Sequence, residues 1–272
     1  MPLAEVSGRK VYYELHGSAD APGSPLVLVT GLGGSCQGWL PLQVPELAPH
    51  HRLLIYDNRG VGQSEDPGGP FSTADLADDL AALLQVLEIP RAHVLGAFQG
   101  GMTAQELALR HPDRVDHLIL VGTWARADAK RRLLLEKWKA MAREGTSLAV
   151  FTRERLLWTL HDATLEQQDL VEAMSQSFAG STTLIDPDVI ARQCDACLGH
   201  DTFDRLHEIQ QPTLVVCGRE DQLTPAKFHR ELADHIPNGH LVTLPWGAHL
   251  VMAECAQDFH HAILGFLASP PG

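Results

Sequence analysis

The chain has 272 residues, 44% of them hydrophobic and 20% charged. That balance excludes a disordered chain, and the length suits one α/β domain with an insertion better than two independent domains. The net charge of −13 argues against a nucleic-acid partner, because phosphate binding needs a basic surface.

The start, "MPLAEVSGRK", has no basic segment followed by an apolar one, so it reads as no secretory signal and a cytoplasmic location is expected. No apolar run approaches the roughly 18 residues of a membrane span. "AEVSGRKVYYELHG" reads as a strand pair turning at Gly8. Short, nearly continuous apolar runs follow: "LVLVT" (26–30), "RLLIYD" (52–57), "HVLGA" (93–97), "HLILVG" (117–122), "TLVVCG" (213–218) and "HLVTL" (240–244). Strands buried on both faces have this character, which predicts a mostly parallel sheet flanked by helices.

"STADLADDLAALLQVL" places Leu76, Leu80, Leu83, Leu84 and Leu87 on one helical face behind a Ser72/Asp75 capping box. Residues 99–111 and 253–268 also read as helices. Between "HLILVG" and "TLVVCG" the rhythm breaks. "AKRRLLLEKWKAM", "RERLLWTL", "LEQQDLVEAMSQSF" and "DPDVIARQCDAC" each carry a helical pattern, with no convincing strand among them. Residues 123–205 are therefore expected to form a helical cap on a core made of 1–122 and 206–272. A cap of this kind covers the strand ends, where ligands bind in α/β sheets. Trp124, Trp138, Phe151, Trp158 and Phe178 are candidates for its pocket wall, and packing of cap on core is an equally good reading of each.

The five cysteines are odd in number and scattered, as reduced thiols are. Cys194 and Cys197 form a CxxC near His200, but no second pair completes a zinc ligand set, so two small helical thiols are expected. No dinucleotide fingerprint follows the first long strand, and no metal or organic cofactor is indicated.

The chemistry-bearing motif is "GAFQGG" (96–101), directly after a strand and before a helix. This is the spacing of a G-x-S-x-G-G nucleophile elbow, in which glycines let strand and helix approach closely. Phe98 occupies the position where such an elbow carries its serine. "CGREDQLTP" puts Asp221 on a loop after one strand, and "PWGAHLVMAE" puts His249 on a loop after the last. The order elbow, Asp, His is that of a nucleophile-elbow triad.

With these motifs, "VTGLGGS" (29–35) and "YDNRGVGQSEDP" (56–67), the chain resembles the α/β-hydrolase family over essentially its whole length. "ELALRHPDRVDHLILVGTWAR" resembles its branch of 3-oxoadipate enol-lactonases and related small-molecule hydrolases. The resemblance implies a roughly eight-stranded sheet with a helical cap. It also implies Asp221 as the acid, His249 as the base, and the N–H groups of Leu32 and Gln99 as oxyanion donors.

Phenylalanine has no lone pair and no proton to give, so acyl transfer through residue 98 is excluded. Thr30, Ser35 and Cys36 lie near enough in sequence to be weighed as substitutes. The leading expectation is a cofactor-free enzyme that uses His249 and Asp221 as a general base on a small, partly apolar substrate. A lyase, isomerase, cyclase or cofactor-free oxygenation fits. The alternatives are an ester or lactone hydrolase whose nucleophile was replaced by mutation or design, and a non-catalytic small-ligand binder. The sequence leaves the oligomeric state open.

Overall fold

β1 (Leu3–Val6) and β2 (Arg9–His16) form an antiparallel hairpin around Ser7 and Gly8, both at positive φ. In the computed structural model, residues 2–21, 23–182 and 186–268 are described, without the side chains of 177–182. β3 (Leu26–Val29), β4 (Leu53–Tyr56), β5 (Ala92–Ala97), β6 (Val115–Val121), β7 (Thr213–Gly218) and β8 (Gly239–Leu244) follow. The eight strands run in the order β1-β2-β4-β3-β5-β6-β7-β8. β2 pairs antiparallel with β4, and every pairing from β4 through β3 to β8 is parallel. β3, β4, β5 and β7 are buried at every residue, which is why they read as unbroken apolar runs.

Helices cover both faces. α1 (Gln43–Leu47) is short. α2 (Thr73–Val86) opens with the expected Ser72/Asp75 capping box and packs on β1 and on α3 (Gln99–Arg110). Such a cap is worth about 1 kcal/mol. Leu80, Leu83 and Leu84 of α2 enter the main core with Val27, Leu54, Val94 and Leu118.

After β6 the chain leaves the sheet through α4 (Ala129–Arg143), α5 (Leu148–Thr159), α6 (Asp162–Leu165), α7 (Gln168–Thr182) and α8 (Pro187–Gly199). Its two ends are pinched together by a bridge between Arg126 and Asp201, whose side chains also form a 2.7 Å ion pair. The helix expected at "LEQQDLVEAMSQSF" is α7, starting at Gln168, and its first expected residue, Leu165, ends α6, a separate turn that the His161 side chain caps.

α9 (Ala226–His235) precedes β8. The helix expected at 253–268 begins earlier and is broken, as α10 (Val251–Glu254) and α11 (Ala256–Leu267). The break lies at Cys255, at φ −119° and ψ 40°, whose thiol donates to the Trp246 carbonyl at 3.0 Å. Among the described residues, no helix is long and apolar enough to cross a membrane.

Candidate active site

Phe98 is the one residue between β5 and α3, at φ 49° and ψ −109°. Positive φ on a bulky side chain costs about 1–3 kcal/mol and persists only where its surroundings impose it. Here the Phe98 N–H donates to the Val121 carbonyl at 2.9 Å. Its own carbonyl accepts from the N–H groups of Gly101 and Met102 and, at 2.8 Å, from the Thr123 hydroxyl. The glycines are required by contact. A Cβ on Gly96 would lie 2.2 Å from the Gly100 oxygen, and one on Gly100 would lie 2.2 Å from the Val29 oxygen. The Phe98 ring is buried, edge to face with Trp124 at 5.2 Å and with His249 at 5.4 Å between ring centres.

Asp221 and His249 lie on the loops after β7 and β8, and both are buried. His249 Nδ1 is 3.0 Å from Asp221 Oδ2 and 3.2 Å from the Thr224 hydroxyl. Asp221 also accepts from the Thr224 N–H at 2.7 Å and from its hydroxyl at 2.6 Å. The aspartate therefore ties down the approach to α9 and meets the histidine at once. Burial alone would raise the Asp221 carboxyl. The charge and hydrogen bond of His249, the charge of His229 and the Thr224 hydroxyl outweigh it and hold the group below the ordinary carboxylate value. With Nδ1 donating to the acid, Nε2 is left as the lone-pair nitrogen. Gly122, at φ +53°, makes room for the ring, since a Cβ there would sit 2.8 Å from His249 Cε1.

Among the described residues, His249 hydrogen bonds only to Asp221 and Thr224. None of the three substitute nucleophiles reaches it. Thr30 accepts a long bond from Asn58, and the Ser35 hydroxyl is buried without a partner among the described residues. The Cys36 thiol is pushed well up by burial and by the Asp57 charge.

Leu32 lies on the loop after β3, and a Cβ on its neighbour Gly31 would be 3.2 Å from Phe98 Cβ, so that loop rests against the elbow. Gln99 is the first residue of α3, where a backbone N–H has no acceptor within the helix. Among the described residues, neither the Leu32 nor the Gln99 N–H has a protein acceptor. The helical excursion holds both in place. Gln193 of α8 accepts from the Gly33 N–H at 2.9 Å through its side chain and from the Gln99 side chain at 3.1 Å through its carbonyl. Arg155 of α5 donates from Nη2 to the Leu32 carbonyl at 2.8 Å.

A cavity of about 230 Å³ opens over these groups, lined by Leu32, Phe98 and His249 below and by Trp138, Arg155 and Leu156 of the helical excursion above. Trp138 is thus on the wall, and three other expected aromatics are not. Trp124 is fully buried behind Phe98, against Phe228. Phe151 is buried in the apolar cluster that joins α4, α5 and α8 to the elbow. Trp158 lies off the cavity, with its Nε1 donating to Glu154 and Lys130 over its ring. Each satisfies an apolar packing demand away from the cavity. The side chain of Phe178 lies outside the described residues. Cys194 and Cys197 are buried in α8, and burial raises both thiols. His200 is bonded instead to Thr73 at 2.9 Å.

Thr224, Gln193 and Arg155 were not singled out by sequence. Of these only Thr224, three residues after Asp221 and followed by Pro225, carries a local signal, that of a side-chain-capped turn.

Residues 24–254 match the sequence profile of the α/β-hydrolase fold, and the chain belongs to that family. It is 33% identical, over 98% of each chain, to a protein of Azorhizobium caulinodans with the provisional name carbamate hydrolase RutD. Among solved structures it resembles an enol-lactonase of Burkholderia xenovorans LB400, with TM-score 0.90, 30% identity, and 98% and 100% of the two chains covered. It also resembles a hydrolase of Pseudomonas aeruginosa PA01, with TM-score 0.89, 32% identity and 98% of each chain covered.

Proposed function

We propose that this member of the α/β-hydrolase family carries Phe98 at the nucleophile position and works without acylation. His249, oriented by Asp221, acts as a general base on a small, partly apolar substrate. The observation that carries the reading is the 3.0 Å bond from His249 Nδ1 to a buried carboxylate, with Nε2 left unbonded to any described residue beside the cavity. Nε2 takes a proton from an activated carbon or hydroxyl. Asp221 stabilises the imidazolium that forms. The N–H groups of Leu32 and Gln99 stabilise the enolate or phenolate oxygen. Phe98 gives the substrate an aromatic wall. The reaction class is proton abstraction that leads to elimination, isomerisation, cyclisation or cofactor-free oxygenation.

A second reading is favoured by the relatives, whose names are those of a carbamate hydrolase and an enol-lactonase. In it the ancestral chemistry is ester or amide hydrolysis, and His249 activates a water directly, without the advantage of a covalent intermediate.

The test has two parts. Phe98→Ser is expected to hydrolyse activated nitrophenyl esters while the parent chain does not. The parent chain is expected to exchange the acidic C–H of a probe such as phenylacetone with deuterated solvent, and His249→Ala to lose that exchange. Ester hydrolysis by the parent chain favours the second reading. A folded Phe98→Ser that is inert across several acyl sizes, with no exchange by the parent, leaves a ligand-binding protein and sinks both.

A further inference from the structure

One charged side chain on the cavity wall takes no part in the chemistry above. Arg155 of α5 lines the same cavity as Phe98 and His249, and among the described residues no Asp, Glu or Lys lines it. Arg52 and Arg114 are also half-buried and form no ion pair among the described residues, but neither lines the cavity, and other arginines are paired. Arg9 and Arg59 share Asp79, Arg131 meets Asp128, Arg192 meets Asp66 and Arg205 meets Glu106. Arg155 forms no ion pair among the described residues, and none of the undescribed side chains is an Asp or Glu. This is a notable gap in a chain of net charge −13.

Among the described residues its one acceptor is the Leu32 carbonyl, bonded by Nη2 at 2.8 Å. A guanidinium carries five N–H donors in a planar fork, so most of its donor capacity is unspent on the described residues. Burial pushes the group down only to about 10, so it is charged at neutral pH. A half-buried cation without a counter-charge gains when an anion meets it.

We propose that Arg155 is the carboxylate-binding residue of the substrate site. The ligand is a small, partly apolar carboxylic acid. Its carboxylate accepts from the Arg155 fork, and its apolar body lies against Phe98 and Trp138. Planar, bidentate recognition of a carboxylate is the task for which arginine is suited and lysine is not. The assignment rests on the general-base reading only for which end of the ligand faces His249. The anion subsite itself stands on Arg155 and the cavity.

The test compares binding of phenylacetate with that of its neutral isostere phenylacetamide, by titration calorimetry at neutral pH. The parent chain is expected to prefer phenylacetate by about tenfold, the value of one charge-assisted hydrogen-bonded pair. Arg155→Met is expected to bring the two ligands within about twofold. Arg155→Lys keeps part of the preference, and His249→Ala keeps all of it. Equal binding of the two ligands by the parent chain overturns the proposal, and needs no variant to fold. So does a preference that survives Arg155→Met, or a loss of affinity there that is equal for acid and amide, which makes Arg155 a strut for the Leu32 loop. Loss of the preference in His249→Ala assigns the anion to a protonated His249 instead. A preference that behaves as expected, in a chain without His249-dependent exchange, retains the subsite and removes the base.

Discussion

The two ends of the sheet hold buried histidines in opposite circumstances. Beyond the C-terminal ends, His249 meets the carboxylate of Asp221 at 3.0 Å. Towards the N-terminal ends, His93 of β5 and His117 of β6 lie edge to face, 4.8 Å between ring centres, and His51 lies 5.8 Å from His93. The Nδ1 of each of these three is buried without a partner among the described residues. Asp116 is close by, but Arg91 and Ser24 engage it. Burial and the charge of His117 push His93 down to about 4, and burial lowers His51 and His117 as well. One strand, β5, thus starts at a group of histidines that the fold keeps neutral and ends at the elbow beneath a histidine with a counter-charge. Burial is common to both ends. The carboxylate on the far nitrogen is what equips a histidine to accept and hold a proton.

The comparison can be broken most directly by removing that carboxylate. In a Phe98→Ser background, Asp221→Asn is expected to lower ester hydrolysis by roughly 10²–10⁴-fold. His93→Asn in the same background should leave it within about twofold. Equal losses would erase the distinction. Gly122→Ala is the next largest. Its Cβ meets the His249 ring at 2.8 Å, at a φ that disfavours any side chain, and the displaced base is expected to cost about 10–10² in rate.

Stability against pH separates the two ends by sign and window. His93, at about 4 folded and 6.5 ordinarily, binds fewer protons folded than unfolded between these values. Its contribution to stability is complete above 6.5 and is lost as pH falls towards 4. Asp221 is depressed below 3.8, so its contribution is kept above 3.8 and lost only as pH falls through the lower folded value. Urea denaturation from pH 7 to pH 4 is expected to show falling stability, with a shallower decline in His93→Phe. The smallest effect belongs to His261, exposed on α11 beside the buried His260. His261→Ala should move the unfolding free energy by less than about 0.5 kcal/mol.

Much of this arrangement was legible in the sequence for identifiable reasons. β3, β4, β5 and β7 announced themselves because burial on both faces leaves no polar alternation. The elbow did so because a Cβ on Gly96 or Gly100 would lie 2.2 Å from a backbone oxygen, an approach that only glycine permits. The order of Phe98, Asp221 and His249 located the loops on which they lie. What stayed hidden depends on contacts between distant residues. A tryptophan on a helix has the same pattern whether it faces a cavity, as Trp138 does, or the interior, as Trp124 does. The break at Cys255 follows Glu254, whose carboxylate reaches the Ala248 N–H and, 93 residues away in the chain, the His161 N–H. Arg155 could not be told from Arg153 two residues before it, because a missing carboxylate opposite a guanidinium is a property of the folded neighbourhood.

The backbone at residue 98 has a consequence for descent. Its φ of 49° is imposed by Val121, Thr123 and the glycines around it, so the turn presents whichever side chain the gene encodes to the same point beneath His249. Every phenylalanine codon becomes a serine codon by a change in its second base. A single nucleotide therefore separates this chain from one with a hydroxyl at the elbow, and selection could cross that step in either direction without rebuilding the fold around it.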